Sequence, residues 1–216
     1  MLGLSLSDVI IRVITLVIAL SFHEFSHAWV ANAFGDDTPR ANGRLTLNPL
    51  AHLDPIGSLM LILVGFGWAK PVPIDPYQLN RRSPSAVLWV SLAGPFSNFI
   101  LAAFAAIPLR FGLIALTYTS SSQLSLQNFL LEFIWINLIL ALFNLIPLYP
   151  LDGEKIASYA FPPPLGTFFD SIRPYSMYIL IAVFFVLPYL GVDVFGTVVD
   201  PVIVSISRLL LGSGFY

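Results

Sequence analysis

Long apolar stretches alternate with polar, proline-rich stretches along most of this 216-residue chain. An α-helix needs about 20 consecutive apolar residues to cross the hydrocarbon core of a bilayer. By this measure the pattern predicts membrane-spanning helices over residues 9–34, 86–109, 127–149, 175–190 and about 194–212, the fourth of them short. The sequence therefore predicts an all-α membrane protein, a polytopic bundle of about five to six transmembrane helices.

Two neighbouring segments break this pattern. Residues 40–55 are polar, contain glycine and two prolines, and alternate as Arg44-Leu-Thr-Leu-Asn48, which predicts a short strand or β-hairpin followed by a loop. Residues 56–69 are apolar but only 14 residues long. That length favours a re-entrant or tilted segment over a simple span.

Composition narrows the class of protein. Hydrophobic residues make up 57% of the chain and charged residues 10%, against about 25% charged in soluble domains. The chain has no cysteine, which excludes disulfides and thiolate chemistry, and its net charge of −2 without a basic run argues against a nucleic-acid partner. We expect one integral membrane domain over residues 1–216, in contact with the lipid bilayer. Because the first apolar segment carries candidate catalytic residues and lacks a basic n-region, we do not expect a removed signal peptide.

Lysine and arginine predict the orientation in the membrane, since they are enriched in cytoplasmic loops. If residues 56–69 do not cross, eight of the ten basic residues share one side. These eight are Arg40, Arg44, Lys70, Arg81, Arg82, Lys155, Arg173 and Arg208, and the other two are Arg12 and Arg110. We therefore expect a multi-pass protein of the cell membrane with an external N-terminus.

The first predicted helix contains His23-Glu24-Phe25-Ser26-His27, an H-E-x-x-H motif. Two histidines four residues apart lie on one helix face, where both imidazoles reach one Zn²⁺, and the glutamate beside them serves as general base. Three ionisable residues inside a membrane helix are costly, at roughly 2.5–3.5 kcal/mol each near the bilayer centre, and a metal site accounts for them. Under the predicted orientation, this site lies toward the cytoplasmic side.

A catalytic zinc site needs a third protein ligand, usually a histidine or a carboxylate. His52 is the only other histidine of the chain. The candidate carboxylates are Asp54, Asp75, Glu132, Asp152, Glu154, Asp170, Asp193 and Asp200. Asp152 is favoured because it follows a span that Pro147 and Pro150 interrupt, and interrupted helices at membrane depth line cavities or are buried in protein.

Three segments together resemble a known family. HEFSHAWVANAFGD (23–36), SLAGPFSN (91–98) and NLIPLYPLDG (144–153) are similar, in this order, to the signature segments of the site-2 proteases, which are intramembrane zinc metalloproteases. NPLAHLDPIG (48–57) and KPVPIDP (70–76) resemble its compact prokaryotic members without a PDZ domain. The resemblance covers roughly residues 9–156, the expected protease core, and leaves residues 175–212 as C-terminal transmembrane helices.

The resemblance implies a role for each matched residue. His23, His27 and Asp152 would bind one Zn²⁺ per chain, and Glu24 would be the catalytic base. Asn144 matches the asparagine that holds the substrate or stabilises the tetrahedral oxyanion. Two positions differ from the family pattern: Glu154 replaces a small residue, which changes the charge near the site, and Tyr149-Pro150 replaces the commoner Pro-Pro.

Two further residues are candidate substrate contacts. Asn98 could face the same cavity as the motif, although a packing role is equally compatible with the sequence, and His52 could contact a substrate or act as a gate. The implied substrates are transmembrane proteins, whose helix must unwind before a peptide bond is accessible. A strand edge over residues 42–49 could pair with the unwound substrate. The alternatives are a metal or proton transporter that uses the histidine and aspartate residues, and an inactive adaptor with the same fold.

Overall fold

The computed structural model describes residues 5–57, 68–114 and 124–212. Three long helices form the body of the molecule: α1 (Leu6–Ala33), α5 (Ala86–Arg110) and α6 (Leu126–Asn144). Short helices lie between α1 and α5: α2 (Thr38–Ala41), α3 (Pro49–His52) and α4 (Pro76–Arg82). After α6 follow α7 (Asp152–Ala160) and α8 (Leu165–Ile172). The chain continues as a 3₁₀ turn (Arg173–Tyr175), α9 (Ser176–Ile181), a π-helical turn (Ala182–Val186), α10 (Leu187–Tyr189), a second π-helical turn (Phe195–Val199) and α11 (Asp200–Leu211).

Four helical stretches within the described residues are long and apolar enough to cross a membrane. They are Leu6–Ala33, Ala86–Arg110, Leu126–Asn144 and the continuous run Leu165–Tyr189. The predicted class, an all-α multi-pass membrane protein, is confirmed. The third of these helices ends at Asn144, five residues before the predicted limit, because the residues that follow form tight turns that lead to Pro147 and Pro150.

The long helices pack side by side through small residues. Helix α5 contacts both α1 and α6, and Ala19, Ala28, Ala102 and Ala106 are all buried. Small side chains allow membrane helices to approach closely, which increases their van der Waals contact. We refer to the end of the bundle where α1 and α6 finish and α5 begins as the site end, and to the other as the far end.

The far end contains an ion pair that the sequence pattern did not reveal. Arg12 Nη2 of α1 lies 2.8 Å from Glu132 Oε1 of α6. The two side chains are about one-third and one-quarter exposed, respectively. Neutralising each charge with the other lowers the cost of placing both within apolar helices. The pair therefore fixes α1 against α6 away from the candidate metal ligands.

No strand or hairpin forms over residues 40–55, so this prediction is wrong. Two helix starts override the alternating pattern: Pro39 lies in the first turn of α2, and the Asn48 side chain caps α3 at Leu50 N, 3.1 Å away. Between them Gly43 turns the chain with a φ of +67°. In the described residues, the only β pairing is an isolated antiparallel bridge between Leu53 and Ala69.

Residues 58–67 of the predicted re-entrant segment lie outside the described residues, but both ends of the segment are seen. Leu53 pairs with Ala69, and the Lys70 N–H donates to the His52 carbonyl at 2.7 Å. The buried Arg44 guanidinium donates to the carbonyls of Ala51 and Lys70. The described residues on either side of this segment are therefore adjacent, and the re-entrant course stays a prediction.

The last helix does not run in the predicted direction, which would place its end, with Arg208, at the site end. The ring centroid of Phe184 lies 5.2 Å from that of Phe143, next to the site end of α6, and 6.2 Å from that of Phe195. From there α11 runs along α5 and α6, and the Arg110 guanidinium donates to the carbonyls of Leu209 and Leu210. The end of α11 therefore lies at the far end of the bundle.

The placement of Arg208 on the majority side is consequently wrong, since it lies beside Leu209 near Arg110. The distribution of the ten basic residues becomes seven at the site end and three at the far end. The site end remains strongly enriched in lysine and arginine.

Candidate metal centre

Helix geometry brings two motif histidines together, as the spacing predicts. His23 and His27 lie one turn apart on α1, with ring centroids 4.7 Å apart, and both are buried. The carboxylate of Asp152 lies between them, with Oδ2 3.1 Å from His23 Nε2 and 3.2 Å from His27 Nε2. The three candidate ligands are thus adjacent although Asp152 is 129 residues from His23 in the chain.

The turn before α7 carries Asp152 to this position. Leu151 adopts an extended conformation at the start of the helix, and Asp152 is the first helical residue. The next residue, Gly153, lies against the backbone of the preceding turn: an added Cβ would lie 2.5 Å from the carbonyl carbon of Ile146. Only glycine allows this approach, so Gly153 is required by close packing between the turn and α7.

Hydrogen bonds orient both imidazoles toward Asp152. His23 Nδ1 lies 2.7 Å from Asn98 Oδ1, and His27 Nδ1 lies 2.7 Å from the Val90 carbonyl oxygen. Because both partners are acceptors, each Nδ1 carries a proton, and the neutral ring then offers its Nε2 lone pair to a metal ion. Partners of this kind fix the tautomer and ring orientation of metal-binding histidines.

Asn98 belongs to a buried amide network. Its Nδ2 group donates to the Ala19 carbonyl at 3.1 Å and to Asn137 Oδ1 at 2.9 Å. Asn137 is fully buried and donates in turn to the Phe133 carbonyl at 2.8 Å. The Asn98 amide therefore has both N–H groups and one lone pair of its oxygen engaged within the protein, and its predicted substrate contact stays a prediction.

Gly94 makes room for the two histidines in the middle of α5. A Cβ at this position would lie 2.6 Å from His23 Nε2 and still closer to His27 Nε2. This position therefore requires a residue without a side chain, eight residues after the start of α5 at Ala86.

Glu24 lies next to the cluster and contacts a loop between α3 and α4. Its side chain is buried, and the Val72 N–H donates to its Oε2 at 3.2 Å. The loop is held in turn by Asp36, which accepts from the Asp75 N–H at 2.7 Å. At the start of α4, the Gln78 side-chain amide donates to Asp75 and lowers the pKa of that carboxyl group.

The other two predicted site residues, Asn144 and His52, form no hydrogen bond with the candidate ligands within the described residues. Asn144 is the last residue of α6 and donates through Nδ2 to the Leu140 carbonyl at 3.0 Å. His52 is fully buried, its Nε2 lies 2.7 Å from the Thr46 carbonyl, and its Nδ1 has no partner within the described residues. Its predicted contact with a substrate stays a prediction.

The donor atoms fit a catalytic zinc ion. Two imidazole nitrogens and one carboxylate oxygen form a ligand set of three, which leaves a fourth position for water or substrate. Ligands about 2.0–2.1 Å from a tetrahedral ion lie roughly 3.3 Å apart, close to the two nitrogen–oxygen distances given above. Among the described residues, these three form the one group of histidines and carboxylates with metal-binding spacing.

The chain was compared with known proteins. The model of peptidase family M50 matches residues 110–187. "Putative zinc metalloprotease YwhC" of Bacillus subtilis is 41% identical over 182 residues, which is 82% of this chain and 80% of the relative. "Putative zinc metalloprotease Rip2" of Mycobacterium tuberculosis is 29% identical over 188 residues, 84% of this chain and 69% of the relative.

No solved structure matches the chain. The comparisons give no support to the alternative of a metal or proton transporter. The extensive similarity of this chain to YwhC and its match to the family model agree with the signature segments around His23, Asn98 and Asp152. The chain therefore belongs to peptidase family M50, the site-2 proteases.

Proposed function

We propose that this protein is an intramembrane zinc endopeptidase that cleaves transmembrane or membrane-proximal segments of other proteins. The observation that carries the proposal is the convergence of His23 Nε2, His27 Nε2 and Asp152 Oδ2 within 4.8 Å of one another, with both histidines inside an apolar helix of an M50 chain. These three residues would hold one Zn²⁺. When bound, the ion supplies a Lewis acid that lowers the pKa of water and polarises a peptide carbonyl.

In this proposal, Glu24 is the general base. Its buried carboxylate takes a proton from the attacking water and delivers it to the leaving amine. The Val72 N–H bonds one carboxylate oxygen, Oε2, which leaves Oε1 to face the reacting groups. Asn144 is proposed to donate its amide to the negative charge that develops on the carbonyl oxygen, since it ends α6 eight residues before Asp152.

A peptide bond within a transmembrane helix is protected by i→i−4 hydrogen bonds, so a substrate must unwind locally before Glu24 can act. Residues 42–49 do not form the strand proposed to receive it. The loop at residues 70–75 contacts Glu24 through Val72 and is the better-placed backbone for this purpose. The enrichment of basic residues at the site end supports a cytoplasmic position for the catalytic residues.

Substitution of Glu24→Gln tests the proposal. The amide keeps the shape of the side chain and cannot accept the proton, so cleavage of a transmembrane substrate should be lost while zinc stays bound at one ion per chain. Activity would be measured on purified protein in detergent, and zinc by metal analysis of the same samples. Retained cleavage by the Glu24→Gln variant would rule out Glu24 as the base.

A further inference from the structure

A cavity of about 490 Å³ lies beside α7, separate from the three candidate ligands. Its lining includes the apolar residues Ile74 and Pro76, from the loop and the start of α4. It also includes charged side chains, among them Glu154 and Lys155 of α7 and Arg173 after α8. Its lining is therefore both apolar and charged.

The cavity adjoins the catalytic residues. Val72 bonds Glu24, and Ile74, two residues further along the chain, lines the cavity, so the two lie at most about 7 Å apart. On the other side, Glu154 lies in the first turn of α7, two residues after Asp152. A peptide bound at the metal centre would reach the cavity within a few residues of its scissile bond.

Glu154 is the unusual group in this cavity. Its side chain is only 5% exposed, and within the described residues it accepts no hydrogen bond. Its ionic partner is Arg173, with Nε at 3.7 Å, which is longer than the 2.7–2.9 Å of a charge-assisted hydrogen bond. The Arg173 guanidinium lies over the Tyr149 ring instead, 4.9 Å from its centroid, and its side chain is 54% exposed. A buried carboxylate with such weak compensation favours a second cation.

The other acidic group of the cavity is less available. Asp170 is exposed to solvent, and its carboxylate accepts the Ser158 hydroxyl at 2.9 Å. Asp170 is therefore solvated and hydrogen-bonded, whereas the Glu154 carboxylate is shielded from solvent and has only the 3.7 Å contact with Arg173 as compensation.

We propose that this cavity binds a basic side chain, lysine or arginine, from the flank of the substrate's membrane segment, with Glu154 as its anionic partner. The inference rests on the proposed endopeptidase function and names one element of its substrate. Cytoplasmic flanks of membrane helices carry an excess of lysine and arginine. An incoming ammonium or guanidinium group forms the direct bond to Glu154 that Arg173 does not make, and Arg173 remains on Tyr149.

Binding tests this inference separately from catalysis. In the Glu24→Gln background, a fluorescent transmembrane peptide is titrated in detergent with lysine, glutamine or glutamate at the flanking positions. We expect the lysine peptide to bind about tenfold more tightly than the glutamine peptide, and the glutamate peptide to bind most weakly. Wild-type cleavage of the same peptides, measured in parallel, tests the proposed function.

Three further variants assign the preference to Glu154. Glu154→Gln should reduce the lysine preference to less than about twofold, and Glu154→Lys should invert it in favour of the glutamate peptide. Asp37→Asn, which removes an exposed charge after α1, is the matched control and should keep the full preference. Zinc content is measured for each variant. Equal binding of the three peptides, or an undiminished lysine preference in Glu154→Gln, overturns the inference even if wild-type cleavage is robust.

Discussion

Asn98 Oδ1 lies 2.7 Å from His23 Nδ1, in a part of the bundle where Asn98 is fully buried. An acceptor at this position keeps the proton on Nδ1 and leaves Nε2 free for a metal ion. Asn137 holds the Asn98 amide in the required orientation from α6. The ligand geometry on α1 therefore depends on side chains from both neighbouring helices.

Removal of this support should weaken metal binding. Asn98→Leu preserves volume and deletes the acceptor, so we expect zinc affinity to fall about 10- to 100-fold. Asn137→Leu should have a smaller effect in the same direction, since it acts only through Asn98. Zinc affinity would be measured by competition with a chelator of known affinity. Asn144→Ala serves as the comparison, because it should lower the turnover number and leave zinc affinity unchanged. Equal zinc affinities for the wild type and the three variants would exclude a role for the network.

Gly94→Ala should disrupt the metal centre through sterics alone. The added methyl group would lie 2.6 Å from His23 Nε2, where it displaces the imidazoles that must bind the ion. We expect loss of stoichiometric zinc and of cleavage, with the protein still folded. Phe96→Ala is the control, because Phe96 is 62% exposed and lies two residues away. A Gly94→Ala protein that retains zinc would show that α5 can move away from the histidines.

The residues predictable from sequence are those related by the regular geometry of one helix or by a shared motif. His23, Glu24 and His27 follow from a four-residue spacing on a predicted helix, and the broken helix at Pro147 and Pro150 singled out Asp152 from eight carboxylates. Apolar stretches also located the long helices, because the length needed to cross a bilayer is a strong constraint.

The remaining features depend on contacts between distant segments, which periodicity does not encode. Nothing in the sequence pairs Asn98 with Asn137, or Arg12 with Glu132, although a polar residue within an apolar helix is itself a signal that a partner exists. The false hairpin over residues 40–55 shows the opposite error. The short alternating pattern predicts a strand, but the side chain of the capping residue Asn48 starts a helix there.

Asp152→Ala should remove the third ligand. We expect zinc affinity to fall by more than about 100-fold, as for His23→Ala, since outer-sphere partners alone contribute 10- to 100-fold. Asp54→Ala is the control, because the Asp54 carboxylate accepts the N–H groups of Ile56 and Gly57 and makes no contact with the ligands. The measurement is zinc content after mild chelation. If Asp152→Ala retains one zinc per chain, a different residue completes the site.

Cysteine labelling tests the arrangement of the helices, and the absence of native cysteine makes the background clean. Single cysteines at Ser83 and Ser158, at the site end, should react with a membrane-impermeant reagent from the cytoplasmic side. A cysteine at Leu113 should react from the outside. A cysteine at Gly212 should also react from the outside, because α11 ends beside Arg110. Labelling of Gly212 from the cytoplasm would contradict the far-end position of Arg208, whereas opposite labelling of positions 83 and 158 would contradict the two membrane crossings by α5 and α6 that separate them.

Unwinding of the substrate should control the rate of cleavage. Glu24 lies within an apolar helix long enough to cross the membrane, so a transmembrane substrate must lose backbone hydrogen bonds to reach it. Glycine and proline weaken a helix by about 1 and 3 kcal/mol relative to alanine in soluble helices. Replacing such residues in a cleaved substrate with leucine should therefore slow cleavage while binding to the Glu24→Gln protein persists. The comparison uses the wild-type substrate helix and an all-leucine variant with the same flanks, with cleavage and binding measured for each. If both helices are cut at the same rate, helix opening does not limit the reaction and the selectivity must reside in the flanks.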